Sequence, residues 1–343
     1  MRRFLGGLLL ALGVALLVLG MRAGSIYDRL ATVPLDYKST SVSQGANMNV
    51  LRVYRNGDVV NFDKLKGVTV QSTREVIGIP GKVPADKRDS TAFWQTMVTS
   101  TAVGVADLTY SNETVSFDRV SGTAVNCCGD QVSIGTVEAP GAMKDITHAG
   151  NYFKFPFNVQ KQGYLWWDGD LEKATEAKFV RTENIAGTET YVFEQRIPDT
   201  QLSTSKVPAA VFDGTGDDVD ATVTYSNVRT LWVEPVTGVI IKGTEAINKT
   251  LSSSLGTIDA TKGNIGFDEK TITDNAQVWG AKASQLAFVR DRLGLVGTLG
   301  GLLLGALGAF LLITDRARRN GAHRAEAVEA ETTVIPQEWT PQG

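Results

Sequence analysis

Residues 109–125 read TYSNETVSFDRVSGTAV, and residues 224–241 read TYSNVRTLWVEPVTGVII. Both open on Thr-Tyr-Ser-Asn, run through an apolar stretch to an acid (Asp118 or Glu234), and close on Val-Ser-Gly or Val-Thr-Gly before a second apolar stretch. β-Branched and aromatic residues on both sides of a glycine turn are the pattern of a hairpin, because Gly122 and Gly238 take positive φ without a Cβ clash. A one-residue gap aligns the two copies. A duplicated β-unit in one continuous sheet is the expectation, with shared hairpin chemistry as the alternative source of the likeness. A third stretch, GYLWWDGDLEKATEAKFV over 163–180, has the same order of strand, acid and turn. Trp166 and Trp167 must point to opposite faces of any strand. One ring is expected in the core, the other against a partner, a lipid headgroup or a second sheet.

Outward from these units the alternation keeps returning, in NVLRVYRNGDVVNF, GVTVQSTREVIGI and TYVFEQRI. Helical patterns are few: STAFWQTMVTSTA over 90–102, a short piece near DLEKATEAKFV, and DNAQVWGAKASQLAFVRDRLG before a long apolar run. Residues 25–290 are therefore predicted to form a mainly β, antiparallel, hairpin-rich domain, barrel- or sandwich-like around an apolar cavity, with a few helices.

Two apolar runs flank that domain. FLGGLLLALGVALLVLGM (4–21) and LGLVGTLGGLLLGALGAFLLI (293–313) carry no charge, and each is long enough to cross a bilayer as a helix. The first also follows the plan of a signal peptide, but Met21 and Arg22 stand where a cleavage site needs small residues, so a retained anchor is expected. Arg2 and Arg3 before the first run, and four arginines against one aspartate in TDRARRNGAHR after the second, place residues 1–3 and the tail 314–343 in the cytoplasm. The tail, ending AEAVEAETTVIPQEWTPQG, is predicted to be disordered. Gly6, Gly13 and Gly20 on one span, and Gly297, Gly301 and Gly305 on the other, suit close approach to each other or to another helix.

Both cysteines lie in VNCCGD, as Cys127 and Cys128. Neighbours in sequence close no long loop, so a bond between them adds little through chain entropy and acts as a local turn lock. That vicinal disulfide is the expected state; two free thiols or an intermolecular bridge are the alternatives. Outside the spans and tail the only histidine is His148, which leaves neither a metal set nor a Ser-His-Asp relay with its nucleophile elbow. Asp213, Asp217, Asp218 and Asp220 miss calcium-loop spacing and read as a solvated loop. A formal charge of −3, without a basic cluster between the spans, excludes a reader of nucleic acid. No enzyme, no metal and no cofactor is expected.

FDRVSGTAVNCCGD, the stretch from FPFNVQKQGYLWWDGD through TYVFEQRIP, and RTLWVEPVTGVIIKG resemble the actinobacterial envelope proteins of the porin PorA family. The likeness covers almost the whole chain. It implies a place in a bacterium with a mycolic-acid layer, and partners in that layer: a trehalose mycolate or lipoglycan, and an inner-membrane lipid transporter. Two apolar helices and a large polar domain are not a closed transmembrane barrel. The leading functional expectation is thus a membrane-anchored accessory protein on the outer side of the plasma membrane that binds or relays such a lipid. Trp94, Tyr164, Trp166 and Trp167 are its candidate contacts with lipid or partner. A non-catalytic scaffold of an envelope-synthesis complex is the alternative, and an enzyme acting on envelope glycolipid the weakest candidate.

Overall fold

A computed structural model describes residues 2–56 and 59–332. The chain divides into a helical unit, residues 1–30 with 287–343, and a second unit, Ala31–Leu286. The helical unit contains α1 (Arg2–Met21), the short α2 (Ala23–Leu30) and α4 (Leu293–Thr332). Both α1 and the Leu293–Arg318 part of α4 are long and apolar enough to cross a membrane. They pack against each other antiparallel along their glycines. A Cβ at Gly13 would lie 2.5 Å from the Gly305 nitrogen, and one at Gly20 would lie 2.7 Å from the Thr298 nitrogen. Backbone contact of this kind is what glycine permits where apolar burial supplies no drive. Arg3 meets Asp315 at 2.7 Å, so both ends of the helix pair lie at one level. The helix α4 continues to Thr332, where the sequence reading places disorder from 314; its alanines, glutamates and arginines are strong helix formers. The rest of the predicted disordered tail lies outside the described residues.

The second unit is one antiparallel sheet of twelve strands: β1 (Lys38–Asn56), β2 (Val59–Gly78), β3 (Thr91–Ala102), β4 (Ala106–Asp118), β5 (Gln131–Gly135), β6 (Lys144–Asp145), β7 (Tyr164–Asp168), β8 (Lys173–Ile185), β9 (Thr188–Val207), β10 (Val219–Val233), β11 (Ile240–Ser253) and β12 (Gly256–Phe267). Their spatial order is β6-β5-β4-β3-β2-β1-β12-β11-β10-β9-β8-β7. The first and last strands are therefore neighbours, and the two free edges are consecutive in sequence. The segment between those edges joins them. Phe117 bridges Ala124, Thr123 bridges Asn151, and Asn151 bridges Trp166. At that level the sheet returns on itself as a barrel-like wall. The helix α3 (Glu269–Asp291) follows β12 and is tied to the sheet where Thr271 Oγ1 accepts the Val42 N–H at 3.0 Å and Thr188 Oγ1 donates to the Ala276 carbonyl at 3.0 Å.

The duplicated unit is present in the backbone. Gly122 N–H donates to Asp118 O at 2.9 Å, and Gly238 N–H to Glu234 O at 2.9 Å, with φ of 72° and 74° at the two glycines. In both turns the acid's carboxylate accepts N–H bonds from the residues two and three positions on: Val120 and Ser121 for Asp118, Val236 and Thr237 for Glu234. Asp168 does the same for Asp170 and Leu171 in the third stretch. The copies differ in their return: β11 is a full strand, while Ala124 makes a single bridge.

Two helical expectations fail. Residues 90–102 form β3, and the DLEKATEAKFV piece belongs largely to β8. Each is paired along its length by neighbours in register, β3 by β2 and β4, β8 by β9 and in part by β7, and strand pairing overrides a weak local preference.

Candidate functional site

Alternation along the strands decides what faces inward. On β10, Tyr225, Asn227 and Arg229 share the inner face with buried Leu231 and Val233. On β9, Gln195 sits between buried Phe193 and Ile197. These polar groups and their neighbours pair with one another. Arg229 Nη2 lies 3.0 Å from Asp168 Oδ2 and 3.0 Å from Glu245 Oε2. Tyr225 OH donates to Asp168 at 3.0 Å, and Asn227 Nδ2 donates to Glu245 at 2.7 Å. Burial opposes the charge on Arg229, but Glu245 and Asp168 outweigh it and raise its pKa. Burial likewise opposes the Glu245 carboxylate, yet Arg229 holds its pKa below the usual value. Burial, with the Asp168 charge adding to it, pushes the Tyr225 phenol up and keeps it a donor.

A second polar cluster lies at the seam. His148 is 2% exposed and sits between two carboxylates, Nδ1 2.9 Å from Asp130 and Nε2 2.8 Å from Glu113. A neutral imidazole donates from one nitrogen only, so this double pairing calls for the imidazolium. Burial works against that charge, but the bonds to Asp130 and Glu113 raise the His148 pKa overall. Tyr152 OH donates to Glu113. Its pKa is raised strongly by burial and by the Glu113 charge.

Arg74 completes the interior. It shares its face of β2 with buried Val70 and Val76, which makes it inward-facing, and its guanidinium lies 5.8 Å from the Tyr152 ring centre, near enough to Glu245 to help hold that carboxyl down. Yet Arg74 is solvent-exposed. Water thus reaches the inner face of the wall at this level. Neither cluster was assembled by the sequence reading, since Arg74, Glu113, Asp168, Arg229 and Glu245 come from five strands and carry no spacing signature.

The outer face is built for water as well. Glu176 with Lys178 and Lys206 with Asp220 form exposed ion pairs, and Arg196 pairs with the half-buried Glu194, on β8, β9 and β10. A Lys or Arg on a lipid-facing strand costs roughly 2–4 kcal/mol at mid-bilayer. Charges of this kind disfavour contact of this part of the wall with mid-bilayer hydrocarbon.

Three of the four candidate aromatic contacts are packed inside the protein. Trp94, Trp166 and Trp167 are buried, and Tyr164 is half-buried. Trp166 stacks on Phe155 at 4.9 Å, and Trp167 stands edge-on to His148 at 4.8 Å. Trp94 stacks on Tyr37 at 4.5 Å, and Tyr164 packs edge-on to Phe155. Both faces of β7 are covered, which alternation alone does not foresee. Cys127 and Cys128 are joined and half-exposed. Among the described residues no group of three or more acids, histidines and cysteines is placed to hold a metal.

A protein-family model described as Porin PorA matches residues 5–310. A protein named Porin PorA from Corynebacterium amycolatum is 25% identical over 300 residues, covering 71% of this chain and 77% of that protein. Another of the same name, from Corynebacterium resistens, is 24% identical over 278 residues, covering 62% of this chain and 67% of its own length. These relatives are named as porins, and that overturns the expectation of a lipid-relaying accessory protein, with its scaffold alternative. The charged interior around Arg229 agrees with the correction, because an acyl chain there would lie against paired ions rather than an apolar wall.

Proposed function

The chain belongs to the Porin PorA family, and from that membership and the wetted inner face at Arg74 we infer a non-enzymatic envelope protein that passes hydrophilic solutes through the interior of its rolled sheet. The interior of the rolled sheet is the conduit, and α1 and α4 are long and apolar enough to hold the chain in a membrane. The observation that carries this reading is the exposure of Arg74 on the same face as buried Val70 and Val76. A solvated charge inside the wall needs a continuous water path to bulk. Charge pairing elsewhere in the interior leaves Arg74 as the group that a passing ion would sense most strongly.

The test is conductance of the full-length protein reconstituted in planar bilayers. We expect discrete conductance, and a reversal potential under a salt gradient that moves toward cation selectivity in Arg74→Glu. Bilayers that conduct no better with the protein than without it would reject the conduit. Conductance that ignores Arg74→Glu would place the path elsewhere in the chain.

A further inference from the structure

The seam of the sheet is held on one side by a short piece of chain around the cysteines. Asn126 and Asp130 flank the Cys127–Cys128 pair, and both grip His148. Asn126 Nδ2 donates to the His148 carbonyl at 2.8 Å, and the His148 N–H donates to Asn126 Oδ1 at 2.8 Å. Asp130 Oδ2 meets His148 Nδ1 at 2.9 Å, and the Asp130 carbonyl accepts the Ile146 N–H at 3.1 Å. The Cys127 N–H donates to Ser116 Oγ at 2.9 Å, and the Ser116 N–H in turn donates to the Asp130 carboxylate at 3.0 Å. Two residues beyond His148 the Gly150 carbonyl accepts the Ala124 N–H, and Asn151 bridges across to Trp166. Residues 146–152 therefore form a strap held to β4 and β5 in two ways: through the two residues that bracket the cysteines, and through Glu113 of β4, which meets His148 Nε2 and accepts from Tyr152 OH.

We propose that Cys127–Cys128 is a site of thiol–disulfide exchange, and that its reduction releases the strap 146–152 and opens the seam. Cys127 and Cys128 are half-buried residues at the surface while Asp130 and His148 are buried, so the bond lies at the surface and its consequence inside. The bond fixes the path between Asn126, which holds a left-handed φ of 50°, and Gly129, at φ 85°. Without it the chain from 125 to 130 regains freedom, and the paired grips on His148 must each hold alone. The other attachments of the strap are independent of the cysteines: Glu113 keeps its bonds to His148 and Tyr152, Asn151 N–H donates to Leu165 O, and Trp167 N–H donates to Asn151 O. Release is thus local.

The co-reactant is a dithiol of the envelope compartment. Its thiolate attacks one sulfur, the Cys127–Cys128 bond breaks, and the departing sulfur keeps the electron pair and takes a proton from water. The second thiol of the donor resolves the mixed disulfide. The donor leaves oxidised, and both cysteines are left as thiols. By linkage, a closed strap favours the oxidised pair as much as the oxidised pair favours the closed strap.

The test uses the full-length protein in detergent micelles. Intact mass after alkylation should show no added groups before treatment with a phosphine and two after it. Amide exchange over 146–152 should quicken by on the order of ten-fold on reduction, while 155–159 and 231–241 stay protected, and a mild disulfide oxidant should restore it. The C127S/C128S variant should match the reduced protein; if that variant does not fold, the reversible cycle on the wild type carries the test. Alkylation without reductant, or two added groups with unchanged exchange at 146–152, would overturn the proposal. Exchange that quickens over the whole sheet would overturn it too, since the bond would then be a global staple.

Discussion

Lys154 is 4% exposed, its Nζ has no hydrogen-bond partner, and it lies 3.8 Å from the centre of the Phe157 ring. The acids nearest in effect are Asp118 and Glu234, one from each twin turn, whose oxygens are already engaged by backbone N–H groups. Burial lowers its pKa to about 7, against the pull of both carboxylates. A folded value below the unfolded one means that the unfolded chain binds more protons between pH 7 and about 10.5, so stability rises with pH across that window. It is lost as pH falls toward 7. The shift corresponds to on the order of 4–5 kcal/mol. Lys154→Met should therefore melt later than wild type at pH 7 and show a flatter rise toward pH 10 in thermal melts. A variant that melts earlier at pH 7 would mean that the buried charge is stabilising. The tryptophan pair is the second test at this scale: with both rings buried, Trp166→Ala and Trp167→Ala should each cost about 3–5 kcal/mol by denaturant unfolding. Only one of those losses was legible in the sequence. Alternation sends the rings to opposite faces, but the Asn151 strap that lies beside Trp166 and Trp167 follows no periodicity.

The twin turns were legible as elements because their chemistry is local: an acid to cap, a glycine for positive φ, and two apolar runs. What fills the space beside them was not. A Cβ on Gly238 would stand 2.2 Å from the Phe155 carbonyl oxygen and 2.3 Å from that of Pro156, and one on Gly122 would stand 2.7 Å from the Lys154 carbonyl. The segment 154–159 thus threads between the two turns, with Phe155 N–H bonded to Gly238 O and Phe157 N–H to Val120 O. Gly238→Ala meets both a left-handed φ penalty of about 1–2 kcal/mol and a backbone that must move. Gly187→Ala, at φ 87° with open space around it, meets the φ penalty alone. The expected order in melting temperature is wild type, then Gly187→Ala, then Gly238→Ala. Equal losses would show that the threaded segment yields at no cost. The strand β3 shows the opposite limit of local reading. Ser90 can cap a helix over 90–102, and only the pairing of Thr96 with Val76 and Glu113, distant in sequence, makes the segment a strand.

Across the whole molecule, exposed leucines and valines are concentrated on α1 and α4, and the outer face of β8 and β9 carries ion pairs. The two apolar helices were legible from length and absence of charge, whereas their mutual fit was an open choice between each other and a third helix. The glycine seam resolves it. Gly13 lies against Gly305 N and Gly301 O, and backbone atoms cannot rotate aside as a flexible side chain would. A bulky β-branched residue there must drive the helices apart, while Gly7, with open space around it, should accept the same residue. The Arg3–Asp315 pair supplies the readout, because cysteines placed at both positions would lie within reach of a short bifunctional thiol reagent. In membranes, R3C/D315C should cross-link within one chain, should continue to do so with Gly7→Ile added, and should stop with Gly13→Ile. If the arginine bias of both flanks sets the topology, a membrane-impermeant thiol reagent should reach those two cysteines only from the cytoplasmic side. Labelling from the outer face would invert the topology, and cross-linking that survives Gly13→Ile would show that the helices are held by something other than their glycine seam.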